Sequence, residues 1–345
     1  MKAALLTALQ QLEVAEVETP RAGPGDVIVQ VKACGVCGSD LRTFRYGHAH
    51  VTFPAILGHE FVGVVSEVGE GVQGLLPGNR VIASPAVPCG HCLECVAGRY
   101  NRCDNLLSIG EDLPGGFAQY VRLPAQAVSR GSVLPVSPAL SLEAATLVEP
   151  LSCVLNGQEL VNVGIGDTVV VIGLGTIGCM HLVMARLRGA RRLIGVERER
   201  VRVEVAQRFR ADLYVHAQEQ DPVAAVLEAT GGRGAEVVIV ACASHEAQQQ
   251  ALAMAAKGGR VSLFGGLPKD NPMVLLNTNL IHYRELLVVG AFGAPFPILY
   301  KAAELVANGA IPADLFISGR FPLERIQEAF DAAAQAHSLR VIVLP

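Results

Sequence analysis

The sequence predicts an α/β protein in which a β-rich, barrel-like domain is followed by a doubly wound parallel sheet. Three observations carry this. From about Cys153 onward, short and wholly apolar runs alternate with helical ones, as in strands buried on both faces of a parallel sheet. Before about Glu149, Val- and Ile-rich runs are instead broken by Gly and Pro. The length of 345 residues exceeds what one ordinary core organises, so two domains are expected.

In the first domain, DVIVQVKAC (26–34), FVGVVSEVG (61–69) and NRVIAS (79–84) read as strands. Turns at Gly23-Pro24-Gly25 and Pro77-Gly78 separate them. CGVCGSDLRTFRY (34–46) reads as a strand end running into a loop that carries Arg42, Arg45 and Tyr46. Ser141 is placed to cap a helix in LEAATLV. In the second domain TVVVIG (168–173) is a strand, TIGCMHLVMARLRG (176–189) a helix, RLIGVE (192–197) a strand and RVRVEVAQRFRA (200–211) a helix. The alternation continues through AEVVIVAC (235–242), AQQQALAMAAKG (247–258), GRVSLFGG (259–266) and ELLVVGAF (285–292). An amphipathic helix, ILYKAAELVANG (298–309), a segment FPLERIQEAFDAAA (321–334) and a last strand, RVIVLP (340–345), follow.

Composition removes several function classes. The formal net charge is -4 and no basic run occurs, which argues against a nucleic-acid partner. No apolar stretch is long enough to span a membrane, and Met1-Lys2-Ala3-Ala4 opens no secretory pattern, so a soluble cytoplasmic protein is expected. Nine cysteines, most of them in the first third, point in a reducing compartment to metal rather than to disulfides. Cys153, Cys179 and Cys242 stand apart from the cluster and read as small buried hydrophobes.

Gly173-Leu174-Gly175-Thr176-Ile177-Gly178 joins a strand to a helix, and an acidic residue, Glu197, ends the next strand. In that setting the run is a dinucleotide-binding turn. Gly173 permits the turn, Gly175 lets a pyrophosphate approach, and Gly178 lets helix and sheet close up. Thr176 and Ile177 open a helix whose unpaired N–H groups face the phosphates. Glu197 accepts hydrogen bonds from the adenosine ribose and repels a 2′-phosphate, which favours NAD over NADP. Arg198 and Arg202 pull the other way if either reaches a 2′-phosphate; otherwise they form a solvated helix face.

PCGHCLECVAGRYNRC (88–103) places Cys89, Cys92, Cys95 and Cys103 on one lobe. Four thiolates close a tetrahedron around Zn²⁺ and leave no open position, so this is a structural site. The spacing differs from ferredoxin-type iron–sulfur runs. His91, inside the lobe, is expected to face solvent. A second set is dispersed: Cys37, His59-Glu60 after Gly58, and Glu149 before Pro150. Thiolate, imidazole and carboxylate together make the donor set of a catalytic zinc with an exchangeable position.

GVCGSD, LGHE, the four-cysteine lobe, VEPLS and VIGLGTIG occur in this order over nearly the whole chain. In this the sequence resembles the zinc-dependent medium-chain dehydrogenases of the sorbitol (polyol) and threonine dehydrogenase group. The resemblance implies a GroES-like catalytic domain split between residues 1–151 and 292–345, around a Rossmann domain at 152–291. It implies two zinc ions per subunit, one catalytic and one structural, and a homo-oligomer, a tetramer rather than a dimer. It makes Cys37 and His59 catalytic zinc ligands and puts Glu60 and Glu149 where this group uses carboxylates, directly or through water. Charge suggests that one carboxylate binds at a time, with Glu60 as ligand and Glu149 holding water or substrate. Ser39 falls at the relay hydroxyl that passes on the alcohol proton. Three residues beyond it, where many relatives carry a histidine, stands Arg42, which cannot relay a proton. His48 is a candidate for the exit; otherwise His48 and His50 are solvated loop residues.

The implied reaction interconverts a secondary alcohol, of polyol or sugar-alcohol type, and its ketone by hydride transfer to the nicotinamide. Sorbitol dehydrogenases place an Arg-Tyr pair where this chain reads AFGAPFP (291–297), with no arginine. Arg42, Arg45 and Tyr46 instead leave phosphorylated polyols and threonine-like amino alcohols open, or else belong to a subunit surface. Phe53 and Phe117 are expected in the core rather than along a cleft. Two other classes compete: a zinc-free member of the superfamily such as a quinone reductase, and a zinc- and cofactor-binding protein without catalysis. The intact donor sets and Ser39 argue against both.

Overall fold

The computed structural model describes all 345 residues, which divide into two compact units. Met1–Ser152 and Ala294–Pro345 form one, and Cys153–Gly293 the other.

The first unit is built on a seven-stranded sheet. Strand Val27–Gly35 lies at its centre and pairs antiparallel with Glu60–Val68, Tyr120–Leu123 and Arg340–Leu344. The C-terminal strand is thus an integral member, with Val343 opposite Cys34 and Ile342 opposite Gly35. Strand Ile317–Pro322 pairs parallel to it at the edge. Phe117 and Phe330 are fully buried and meet edge to face at 5.6 Å, and Phe44 packs on Phe330 at 5.3 Å. Three rings from distant parts of the chain so knit the centre of this core. Phe117 matches the expectation of a core residue. Phe53 does not: at 36 % exposure it sits at the surface.

The expected loop after Cys37 is a helix, Gly38–Tyr46. It is short and mostly polar, so periodicity gives little warning of it. A reciprocal cap at its start and the burial of Thr43 and Phe44 hold it. Ser141 does cap a helix, accepting from the Ala144 N–H at 3.0 Å, but that helix is only Leu142–Ala145; a second, Val148–Leu160, follows.

The second unit is a six-stranded, all-parallel sheet. Its order is Leu213–His216, Arg192–Glu197, Thr168–Ile172, Ala235–Val240, Ala255–Leu263 and Leu287–Gly290. Numbered along the chain this is 3-2-1-4-5-6, the doubly wound dinucleotide-binding topology. Val169, Val170 and Val171 are all fully buried, as a strand covered on both faces requires. One boundary departs from the sequence reading. The helix His245–Met254 stops at Met254, and Ala255-Ala256-Lys257 already belong to the next strand. Alanine favours a helix locally, but pairing with the buried strand Ala235–Val240 overrides it.

Candidate active site

Two neighbouring strand ends in the first unit deliver Cys37, His59 and Glu60. Cys37 caps the helix that follows strand Val27–Gly35; His59 and Glu60 stand at the start of the adjacent strand. The donor atoms of Cys37, His59 and Glu60 all lie within 4.8 Å of one another. Cys34, by contrast, is fully buried and its thiol only approaches the Gly35 carbonyl at 3.7 Å. The two cysteines of CGVC are therefore not a pair.

Asp40, to which the sequence reading gave no role, holds this geometry. It is 3 % exposed. One carboxylate oxygen accepts from the Cys37 N–H at 2.9 Å; the other accepts from the Gly58 N–H at 3.3 Å and faces His59 Nδ1 at 3.5 Å. It thus clasps both ligand-bearing segments and leaves His59 Nε2 for the donor cluster. Burial works against a charged His59 ring, but Asp40 and Cys37 outweigh it and raise its pKa well above the ordinary value. Burial and the neighbouring Glu60 carboxylate push the Cys37 thiol up. Thiol, imidazole and carboxylate in mutual contact are a donor set that a divalent cation completes. The signal for Asp40 was the Cys-x-x-Asp spacing itself, a cap residue and an acid three positions on.

Glu60 has a second partner that local spacing does not reveal. Arg340, the first residue of the C-terminal strand, donates from both terminal nitrogens to the Glu60 carboxylate, one bond being 3.2 Å. Arg340 is 3 % exposed and Glu60 1 %. Gly35 lies between them: a Cβ there would stand 2.7 Å from both the guanidinium and the carboxylate, so only glycine lets the pair close. Glu149 lies in the first turn of Val148–Leu160, half-buried and within electrostatic reach of Arg340, but outside the close donor cluster. Ser39 is the second residue of the Cys37 helix and half-buried. Arg42, Arg45 and Tyr46 project from the exposed side of that helix, and neither arginine has a carboxylate partner. His48 lies 3.9 Å from Glu111, and His50 3.0 Å from Asp112.

Cys89, Cys92, Cys95 and Cys103 also gather within 4.8 Å. The Cys89–Cys95 and Cys92–Cys103 sulfurs are 3.9 Å apart. A tetrahedron with Zn–S bonds of about 2.3 Å has edges of about 3.8 Å, so the four sulfurs fit zinc. Backbone N–H groups of Cys89 and Gly90 point at Cys103 and Cys95 sulfurs, at 3.2 and 3.4 Å. Amide hydrogen bonds lower Cys89 to about 6, whereas burial pushes Cys95 up to about 12. Four thiols this close ionise together only around a cation. Arg130 packs against Gly90 and adds positive charge beside the lobe. His91 is exposed, as expected, with Nδ1 3.0 Å from the Cys89 carbonyl.

In the second unit, the turn after Thr168–Ile172 carries the glycine run. Gly173 has φ +92°, and a Cβ on Gly178 would lie 1.8 Å from the Gly173 carbonyl oxygen, so helix and turn touch there. Thr176 and Ile177 open the helix Thr176–Leu187 behind Gly175. Glu197 is held rigidly: its carboxylate accepts from the N–H groups of Leu174 (2.8 Å), Arg198 (2.7 Å) and Glu199 (3.0 Å). Arg198 pairs with Glu199 at 3.1 Å. Arg202 reaches over the turn, its guanidinium 2.9 Å from where a Gly175 Cβ would be. Of the isolated cysteines, Cys179 is fully buried, while Cys153 and Cys242 are only partly so.

The alcohol dehydrogenase GroES-like domain family matches residues 23–135, and the zinc-binding dehydrogenase family matches residues 176–308. The L-threonine 3-dehydrogenase of Bacillus subtilis (strain 168) is 31 % identical over 96 % of this chain and 94 % of its own length. The sorbitol dehydrogenase of the same organism is also 31 % identical, over 100 % and 97 %. A crystal structure of a chain described as a zinc-binding dehydrogenase of Sinorhizobium meliloti 1021, bound to NADP, is 36 % identical. It superposes with a TM-score of 0.93 over 100 % of this chain and 99 % of the other.

Proposed function

We propose, starting from the fact that this chain belongs to the zinc-dependent medium-chain dehydrogenase family, that it oxidises a secondary alcohol of polyol type to the ketone with NAD as hydride acceptor, and runs the reverse. One observation carries this reading: Cys37, His59 and Glu60 converge apart from a complete four-cysteine lobe. A zinc ion held by Cys37 and His59 supplies the Lewis acidity that makes an alcohol acidic. Asp40 fixes the His59 ring, and Arg340 neutralises Glu60, so the thiolate is the main negative charge at the centre. Glu60 remains the nearest carboxylate donor; Glu149, outside the cluster, acts through water. Ser39 takes the alcohol proton and hands it on, since a serine hydroxyl is too weak a base to keep it.

The test is a screen of alcohols, polyols, sugar phosphates and threonine for NAD reduction, with and without a zinc chelator. Reduction by a diol or polyol that the chelator abolishes is expected; inactivity toward every compound would sink the reading. Ser39→Ala should lower turnover about 100-fold, the lower end of the usual range for general acid–base catalysis, with zinc content unchanged. Wild-type turnover in that variant would remove the relay role.

The specific substrate turns on Arg42 and Arg45. Their exposure and lack of carboxylate partners on the helix that carries Ser39 favour a second reading, an alcohol bearing phosphate or carboxylate. A sugar phosphate preferred over its parent polyol, with the preference lost in Arg42→Ala, would establish it. NAD is favoured by the anchored Glu197 carboxylate, and Arg202 over Gly175 is the residue that would favour NADP. Expected is a kcat/KM for NAD about tenfold or more above that for NADP, narrowing in Glu197→Ala; equal use of both by the unaltered protein would overturn the preference.

The edge strand Leu287–Gly290 has one unpaired side and Leu287 is half exposed, which suits a homo-oligomer that pairs two copies through this edge; a tetramer adds a second interface. Nine free thiols suit the cytoplasm, and no helix is long and apolar enough to cross a membrane.

A further inference from the structure

A cleft of about 380 Å³ opens in the second unit among Thr168, Arg191, Arg192, Thr230, Arg233 and Gly234. Thr168 and Arg192 are the first residues of their strands, and Gly234 directly precedes Ala235–Val240. The cleft therefore lies at the amino ends of the sheet. The glycine turn and Glu197 lie at the carboxyl ends, where a dinucleotide is bound.

Three guanidinium groups border this cleft and no carboxylate lines it. Arg191 donates to the Thr168 hydroxyl at 3.3 Å and the Gly166 carbonyl at 3.4 Å, both neutral and both long. Arg192 donates to the Ala229 carbonyl at the end of helix Pro222–Ala229. The Arg233 side chain has no partner. The nearby acids are engaged elsewhere. Glu236 accepts from the Thr168 N–H at 2.7 Å, and Asp212 from the Leu193 N–H and Arg186, each at 2.7 Å. Each is within electrostatic reach of one cleft arginine without pairing with it.

Arg191 and Arg233 are exposed, and the acids within reach of Arg191 and Arg192 bond elsewhere, so the cleft keeps an excess of positive charge that an anion would complement. The walls are not loose side chains alone. Thr168 is 2 % exposed and Thr230 9 %, and the turn that returns Arg233 to the cleft has Gly231, Gly232 and Gly234 at φ of 62°, 79° and 83°. Arginine forks match tetrahedral oxyanions in a way they match no neutral group.

We propose that this cleft is a second anion site, distinct from the dinucleotide turn, and that it takes the phosphate group of a small phosphate monoester. The cavity is larger than a phosphate ion needs, which leaves room for a small organic body. Bound there, the ligand bridges the strand starts and the 230–234 turn and so stabilises the unit.

The test uses the full-length, zinc-loaded protein with NADH at saturation, so that the dinucleotide turn is already filled. Inorganic phosphate, and separately phenyl phosphate, replace chloride at constant ionic strength while the thermal midpoint is followed. A saturable rise with each, at lower concentration for phenyl phosphate, is expected. In Arg191→Gln/Arg233→Gln the apparent Kd should weaken at least tenfold, with NADH affinity unchanged. The single Arg233→Gln variant, which removes no internal contact, covers the case in which the double variant folds poorly. A non-saturable response, or an equal rise in both variants and the parent, would overturn the proposal.

Discussion

Cys37→Ser is expected to reduce turnover by about a thousandfold or more and to leave one zinc ion per chain instead of two. The first figure follows from what the thiolate does. On the proposed reading it is the charged zinc donor in a cluster whose Glu60 is already paired with Arg340, so its loss would remove the metal rather than weaken it. A Lewis acid supplies several kcal/mol of transition-state stabilisation, and about 4 kcal/mol corresponds to a thousandfold in rate. The zinc that stays behind belongs to Cys89, Cys92, Cys95 and Cys103, which share no residue with the Cys37 cluster. Metal analysis beside a steady-state assay checks both halves. Retention of both ions would show that Cys37 is no ligand. Loss of both would show that the two centres are not independent.

Where the sequence was informative, the physics was local. Four cysteines within fifteen positions leave few geometries other than a closed metal lobe. Val169, Val170 and Val171 in one run admit little but a strand covered on both faces. The glycine run can be read because its constraints act within one turn, as the 1.8 Å approach at Gly178 shows. The helix Gly38–Tyr46 leaves little sequence signal because its stability comes from a cap and from Phe44 packing on Phe330, not from its own periodicity. Arg130 beside the cysteine lobe and Arg340 beside Glu60 could not be placed at all. The second pair is separated by 280 positions, and only the sheet that joins Val27–Gly35 to both neighbours brings it together. One clue stood in the sequence: an arginine leading the apolar run of the last strand. Once that strand is central, its arginine is buried and needs an anion.

Arg340→Leu follows from that burial and is the more severe test of the site. The substitution leaves the Glu60 carboxylate 1 % exposed with no cation in contact except a bound zinc. Breaking a buried pair from one side costs about 3–5 kcal/mol, against a total stability of about 5–15 kcal/mol for a typical domain. In metal-free protein the full loss is expected, as a lowered denaturant midpoint at unchanged slope. Zinc changes the outcome. Released from Arg340, Glu60 lies within the donor cluster and can become a full ligand. The zinc-loaded variant should therefore recover much of the lost stability and hold its metal more tightly. The same carboxylate neutralises the centre, so turnover should fall even where folding is restored. Glu60→Gln in the same background removes the charge that Arg340 balanced. If the ion pair is the cause, that double variant is no less stable than Arg340→Leu alone. Equal destabilisation with and without zinc would mean that Glu60 does not reach the metal and that Arg340 is structural only.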